Sequence, residues 1–534
     1  MERNKIFKKI KSLINIYLLW IKKNPWEFVL ILSILLMGSF FRLYKIDQYL
    51  TFLGDEGRDV IIVRRLLVYR DLILVGPGTS IGNMYLGPLY YYLMAPALFL
   101  ANYSPVGPAV QVALLGILTI FFIYLISRQW FGIKAALASS FLYAIAPTVI
   151  IYSRSSWNPN IMPFFSIICI YSLWRVWKKE EFKWFIPLSI SFAFMLQSHY
   201  LGLLLLPVFA VFYILTLLKI KIKKQKKDSK NYIEEMEKRR NLFKYSLFSL
   251  SFFVFLMSPL VIFDARHGWR NTSSMKKFFT ERQTTVSARP WTAIPKVPKV
   301  TAKVFTRLLS GKNELMGEIT MVILLIGVFF VFRNRKKMKG YEYSGYLLIL
   351  VWLFTAFIGL GIYKQEIYDH YYGFFFPAPF MLVGYIFASV QKNLSKYRKI
   401  IVWLIFSILV LYNLFENPLK YPANRQMQRS IEVAEKIKDE YNNQPFNLAV
   451  IAERNYEDGY QYFLEKMKLP VTDIDAQRFE ETVKEQLFVV CEMEKEKCNP
   501  NNSPKAEVAN FGWSKVENEW NVFGVTLYKL IHIK

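Results

Sequence analysis

The chain has 534 residues, 54% of them hydrophobic and 17% aromatic, and carries a formal charge of +28. Its apolar residues fall into runs of about twenty, the length that crosses a bilayer's hydrocarbon as a helix, which argues against an ordinary soluble domain. The charge argues against a nucleic-acid groove. From Glu416 onward there are 20 acidic and 16 basic residues, leaving 52 basic and 20 acidic in the rest, where the basic ones occupy short loops between apolar runs in the positive-inside pattern.

In chain order, residues 1–26 come first. Ile6, Ile10, Leu13, Tyr17 and Ile21 recur there at helical spacing among lysines, as in an amphipathic segment lying on the cytoplasmic surface. Eleven spans are predicted, at 27–44, 107–127, 134–152, 160–178, 184–200, 201–218, 244–263, 317–333, 343–362, 371–390 and 399–415. The first is read as a span, since no small-residue cleavage site follows it. Eleven crossings put the basic N-terminus, the eleven basic residues of 219–244, Arg333 to Lys339 and Lys392 to Lys399 on one inner side. A further apolar stretch, 86–102, breaks this parity if it also spans, because 184–218 must then be one helix of about 52 Å. It is read as interfacial or re-entrant.

The expected fold is therefore an α-helical polytopic membrane domain, 27–415, with outer loops 45–106 and 264–316. A small extracytoplasmic α/β domain follows at 416–534. In that domain Leu448 to Ala452, Leu487 to Cys491 and Val522 to Leu530 read as strands and Asp458 to Lys466 as a helix. Cys491 and Cys498 enclose six residues on the outer side, where a disulfide is possible; no zinc-type spacing is present. The style of the chain suggests a plasma membrane.

The chemistry concentrates in the outer loops. Leu53-Gly54-Asp55-Glu56-Gly57-Arg58-Asp59 places adjacent carboxylates just beyond the first span. Carboxylates near lipid need water, a cation or a function. A carboxylate there can take the proton of an acceptor hydroxyl attacking a sugar, or hold a divalent cation that neutralises a leaving phosphate. The alternative is a plain helix start, since acids favour the first turn. Lys364, Asp369, His370 and Tyr371 form a polar-aromatic cluster at another outer helix end. The lysine suits a phosphate and the tyrosine suits a sugar or the membrane belt. Asp264, Arg266, His267, Arg270, Arg282 and Arg289 lie in 264–316, mostly as a solvated loop.

The order of these features resembles glycosyltransferase family 39, the protein O-mannosyltransferase and aminoarabinose transferase-like family of the C-type glycosyltransferase superfamily. The resemblance rests on the first-loop Asp55-Glu56, on Pro88-Leu89-Tyr90-Tyr91, on a span ending Phe131-Gly132, and on Pro147 followed by Ser153-Arg154. It is best over 27–220. It implies that Asp55 is the catalytic carboxylate and Glu56 its partner. It implies that Arg154, and His199 where the family often has a lysine, meet the donor phosphate beside Lys364. Arg58, Tyr91, Asn158, Asp369, His370 and Tyr371 would line the substrate site. The family often has an aspartate about five residues after that arginine; this chain has Trp157-Asn158-Pro159-Asn160 instead, so any metal would rest on Asp55.

The reading is a glycosyltransferase that uses a polyprenyl-phosphate sugar donor and a lipid, glycan or protein acceptor, with a divalent cation as the one possible cofactor and no nucleic-acid partner. A transporter or flippase of lipid-linked glycans is the runner-up. It fits less well, because no internal repeat is evident and the acids sit in loops rather than at mid-span. A non-catalytic membrane scaffold is the third reading.

Overall fold

The computed structural model describes residues 15, 18–79, 84–220, 230–280, 289–392 and 394–533. The amphipathic reading of the N-terminus falls largely outside them, as does Arg282. Among the described residues, eight helices are long and apolar enough to cross a membrane: Pro25–Leu43, Val106–Phe131, Asn158–Lys179, Tyr200–Lys219, Tyr232–Arg266, Glu314–Arg333, Gly340–Ile362 and Lys396–Phe415. A ninth is made if Asp369–Phe375 and Pro377–Gln391, bent by 63°, form one crossing.

The difference from eleven has local causes. The expected span 134–152 breaks at Pro147, so Ile133–Ile145 is only 13 residues, about 20 Å at the helical rise. The expected span 184–200 is regular over Phe185–Ser198, 14 residues, and stops at His199, whose backbone is extended. Both are shorter alone than a hydrocarbon layer of about 30 Å. The stretch 86–102 is helical over Leu89–Leu100, 12 residues with Pro96 inside, about 18 Å. The helix Lys230–Arg266 runs well beyond its expected span, so the second half of the basic 219–244 loop is helical.

Two buried arginines cover helix-end carbonyls, one of them at the Pro147 break. Proline has no N–H, so Pro147 leaves the Tyr143 carbonyl without its usual helical partner. The fully buried Arg42, from the end of the first span, covers this gap. It donates to the carbonyls of Ala144 at 3.0 Å and Tyr143 at 3.4 Å. Arg154 does the same for the first span itself, donating to the carbonyls of Phe41 and of Tyr44, the latter at 2.6 Å. Helix-end carbonyls need partners away from water, and a guanidinium can serve two of them.

The C-terminal part is a small sheet domain. Strands β1 (Asn447–Ile451), β2 (Gln486–Cys491), β3 (Ser514–Val522) and β4 (Val525–His532) form one sheet in the order β1-β2-β4-β3. β1 and β2 run parallel, and both β2–β4 and β3–β4 are antiparallel. The helix Asp458–Lys466 connects β1 toward β2. Cys491, at the end of β2, is joined to Cys498 by a disulfide. The expected final strand at 522–530 is divided: Phe523 and Gly524, both at positive φ, turn a hairpin there. β3 carries no apolar alternation because it is a largely exposed edge strand.

Candidate active site

The first loop enters the helix Gly54–Tyr69 through Leu53, which is extended. Glu56 then reaches back, and its carboxylate accepts the Leu53 N–H at 3.1 Å. This is the N3 half of a capping box. Glu56 is buried, and burial pushes its carboxyl up to about 7. The expected catalytic pair therefore divides. Glu56 faces inward and caps the helix, while Asp55 keeps 42% of its side chain exposed.

Asp55 is held from two sides. Its Oδ1 accepts the Tyr456 hydroxyl at 2.6 Å and Arg58 Nη1 at 2.8 Å. Its Oδ2 takes no hydrogen bond from a described residue. One helical turn on, Asp59 is wholly buried. Its Oδ1 accepts from Arg58 Nη2 at 2.8 Å, Arg58 Nε at 3.1 Å and the Tyr91 hydroxyl at 3.1 Å, while its Oδ2 has no partner. Burial pushes the Asp59 carboxyl up to about 6, against the pull of Arg58. Arg58 thus spans the two carboxylates. Among the described residues, no three His, Cys, Asp or Glu side chains come together in a way that could hold a metal ion; Asp55 alone could share a divalent cation with a bound phosphate.

The C-terminal domain closes this site. Directly after β1, Asn455 Oδ1 accepts the Gly54 N–H at 2.8 Å, and Tyr456 reaches Asp55 and Arg58. Burial holds the Tyr456 phenol far above its usual range, so it remains a protonated donor. The two helices meet at glycines. A Cβ on Gly54 would lie 2.5 Å from the Tyr456 ring, and one on Gly57 would lie 2.3 Å from the Asp458 carbonyl carbon. Arg65 pairs with Glu465 at 2.7 Å further along the same contact.

A second group lies at the ends of other helices. The Tyr90 hydroxyl meets Ser156 Oγ at 2.6 Å, and Tyr90 packs on Tyr91, which links the carboxylates to the second expected outer loop. There Asn158 Nδ2 donates to the Ser198 carbonyl at 2.6 Å, so it positions backbone. His199 Nδ1 accepts the Leu201 N–H at 3.1 Å. Its ring packs on Tyr371 and His370, whose own ring packs on Trp157 at 4.5 Å. Asp369 is engaged by Arg307, with Nε at 2.7 and 2.9 Å from the two carboxylate oxygens. Lys364 is exposed nearby in sequence.

Sequence reasoning thus named Asp55, Arg58 and Tyr91, which the structure brings together, and His199, His370 and Tyr371, which it gathers separately. Arg154 joins neither group: both of its Nη atoms are taken by the carbonyls at the end of the first span. Asp59, Tyr456 and Arg307 were not anticipated. Asp59 had a signal, lying four residues after Asp55 and hence on the same helical face. Tyr456 had a weaker one: a polar-aromatic run just past the end of a strand, where α/β domains often place functional groups. The 264–316 segment is largely helical where described, with helices Arg270–Thr280 and Val297–Leu308, rather than a plain loop. Asp264 is buried, accepting the backbone N–H groups of Asn271 at 2.6 Å and Thr272 at 2.9 Å.

Comparison with known proteins fits this architecture. The family model described as dolichyl-phosphate-mannose-protein mannosyltransferase matches residues 86–228. ArnT from Cupriavidus metallidurans, solved bound to undecaprenyl phosphate, superimposes with a TM-score of 0.59 at 12% identity, over 95% of this chain and 98% of that one. The oligosaccharyltransferase AglB from Archaeoglobus fulgidus, solved with an inhibitory peptide and a dolichol-phosphate, gives a TM-score of 0.52 at 14% identity, over 90% of this chain and 70% of that one. None of the curated protein sequences compared with the chain matches it significantly. At these identities the likeness establishes the fold: a polytopic helical membrane protein with a small C-terminal β-sheet domain.

Proposed function

We propose that this chain is a membrane glycosyltransferase that moves a sugar from a polyprenyl-phosphate donor to a hydroxyl of a lipid, glycan or protein acceptor on the outer face of the membrane. The observation that carries this reading is Asp55. It is half-exposed, fixed through Oδ1 by Arg58 and Tyr456, and left with Oδ2 for a ligand. It sits in a fold shared with two proteins solved with a polyprenyl phosphate bound. The donor's tail stays in the bilayer while its sugar reaches the loop helix. The acceptor oxygen attacks the anomeric carbon, Asp55 takes its proton, and the bond to the phosphate breaks, releasing the lipid phosphate.

His199 suits the phosphate in its neutral form. Because Nδ1 accepts the Leu201 N–H, the ring's proton is on Nε2, which is left as a donor. Lys364 offers the charge. The Trp157, His370 and Tyr371 rings provide apolar faces for sugar or isoprenoid.

Asp55→Asn tests the assignment. Deleting the gene and comparing glycolipids and glycoproteins by mass spectrometry identifies the missing product. Purified protein added to membranes of the deletion strain should restore it, and Asp55→Asn protein of unchanged thermal stability should not. Full restoration by Asp55→Asn would overturn the reading.

A further inference from the structure

The C-terminal sheet domain lies 400 residues away from the first loop in sequence, yet it contributes the shortest hydrogen bond to the exposed carboxylate: Tyr456 hydroxyl to Asp55 Oδ1, 2.6 Å, across a separation of 401 residues. Resting on the reading of Asp55 as base, we infer that Tyr456 is a positioning residue for it, so that the C-terminal domain is a working part of the active site.

The geometry supports this in three steps. First, a carboxylate on a loop helix can rotate about χ1 and χ2, and a base must present one oxygen to the incoming hydroxyl. Tyr456 and Arg58 both bind Oδ1, and Arg58 Nη1 also approaches the Tyr456 hydroxyl at 3.3 Å, so the three groups form a closed set that fixes which oxygen remains. Second, Tyr456 is itself fixed. Asn455 beside it accepts the Gly54 N–H and donates through Nδ2 to Glu492 at 2.6 Å, and Glu492 also accepts the Tyr460 hydroxyl at 2.6 Å. Third, the approach is built for closeness: no side chain larger than glycine fits at 54 or 57 without displacing the Tyr456 ring or the Asp458 backbone. A domain present only for solubility or partner binding would not need its backbone this close to the helix that carries Asp55. The layout matches the logic of a reactive group oriented by a second residue that never touches substrate.

The test uses full-length protein and membranes of the deletion strain as the source of donor and acceptor. Tyr456→Phe keeps the ring and removes the hydroxyl. Its maximal rate should fall roughly 10- to 100-fold, the effect of one hydrogen bond to a charged group, with the half-saturating amount of membrane and the thermal midpoint unchanged. Tyr456→Gln, which restores a donor on a shorter side chain, should recover part of the loss and also serves if the phenylalanine variant misfolds. A wild-type maximal rate for Tyr456→Phe overturns the inference, and so does a change confined to half-saturation, which would make Tyr456 a substrate contact. Asp55→Asn run in parallel separates the two failures: if it stays active, the base assignment has failed. If it is inactive while Tyr456→Phe is fully active, only the role of Tyr456 has failed.

Discussion

Arg58 donates a 2.8 Å hydrogen bond to Asp59, a carboxylate with no solvent exposure and one oxygen left without a partner. A charge buried this completely is tolerated because the guanidinium beside it is fixed, and the cost of separating them falls on whichever partner remains. Arg58→Ala should therefore destabilise the protein by about 3–5 kcal/mol. Asp59→Asn should cost less, since Arg58 keeps Asp55. The double variant should be more stable than Arg58→Ala alone, because the stranded carboxylate is gone. Thermal unfolding of the three proteins in detergent measures this coupling; additive effects would mean that the pair is not interdependent.

Glu56 gives a pH prediction with a definite sign. Its carboxyl is raised from 4.5 to about 7, first by burial and then, weakly, by Asp55. A raised acid binds more protons in the folded than in the unfolded state between those values. Its contribution is thus fully favourable below about 4.5 and is lost as pH climbs through 7. Glu56→Gln keeps an oxygen for the Leu53 N–H and removes the titration. It should melt above wild type at pH 8, by on the order of 3 kcal/mol, and the advantage should shrink toward zero by pH 5. A variant that melts below wild type at pH 8 would show that the charged form is the one the fold prefers.

Gly57→Ala tests the seat of the C-terminal domain. The added methyl would stand 2.3 Å from the Asp458 carbonyl carbon, and the obstacle is backbone rather than a flexible side chain. Relief requires the domain to back away from the loop helix, stretching the Tyr456–Asp55 contact. The expected cost is about 1–3 kcal/mol, with faster proteolysis between the last membrane helix and the sheet domain and a lower maximal transfer rate. Unchanged proteolysis and rate would mean the domain is not held against this helix.

Features set by local composition were legible in the sequence. Long apolar runs, basic loops, the buried strands β1 and β2 and the Cys491–Cys498 pair need only near neighbours to declare themselves. Features set by a single residue's missing group were harder. Pro147 sits inside an apolar run, so the run reads as one crossing although the helix stops there. β3 escaped because Lys515, Glu517 and Glu519 belong to a largely exposed edge, where no core imposes alternation. Tyr456 and Arg307 escaped for another reason: their partners, Asp55 and Asp369, lie 401 and 62 residues away, and nothing local in either segment encodes the meeting.

Arg154 separates what a motif suggests from what a side chain does. Resemblance places an arginine here to hold the donor phosphate, yet the structure directs both Nη atoms at the carbonyls of Phe41 and Tyr44, with the guanidinium 4.9 Å from the Tyr49 ring. Those carbonyls end the first span, from which the chain turns into the loop leading to Asp55. An arginine that caps them fixes where the loop begins. Arg154→Lys retains one charge but cannot serve two carbonyls with fixed fork geometry, so it should lower stability by about 1–3 kcal/mol. Protein that remains folded should keep the wild-type half-saturation for donor-bearing membranes, with at most a modest fall in maximal rate. A tenfold or larger rise in half-saturation at unchanged stability would instead return Arg154 to the phosphate, and would require its hydrogen bonds to the first span to break when donor binds.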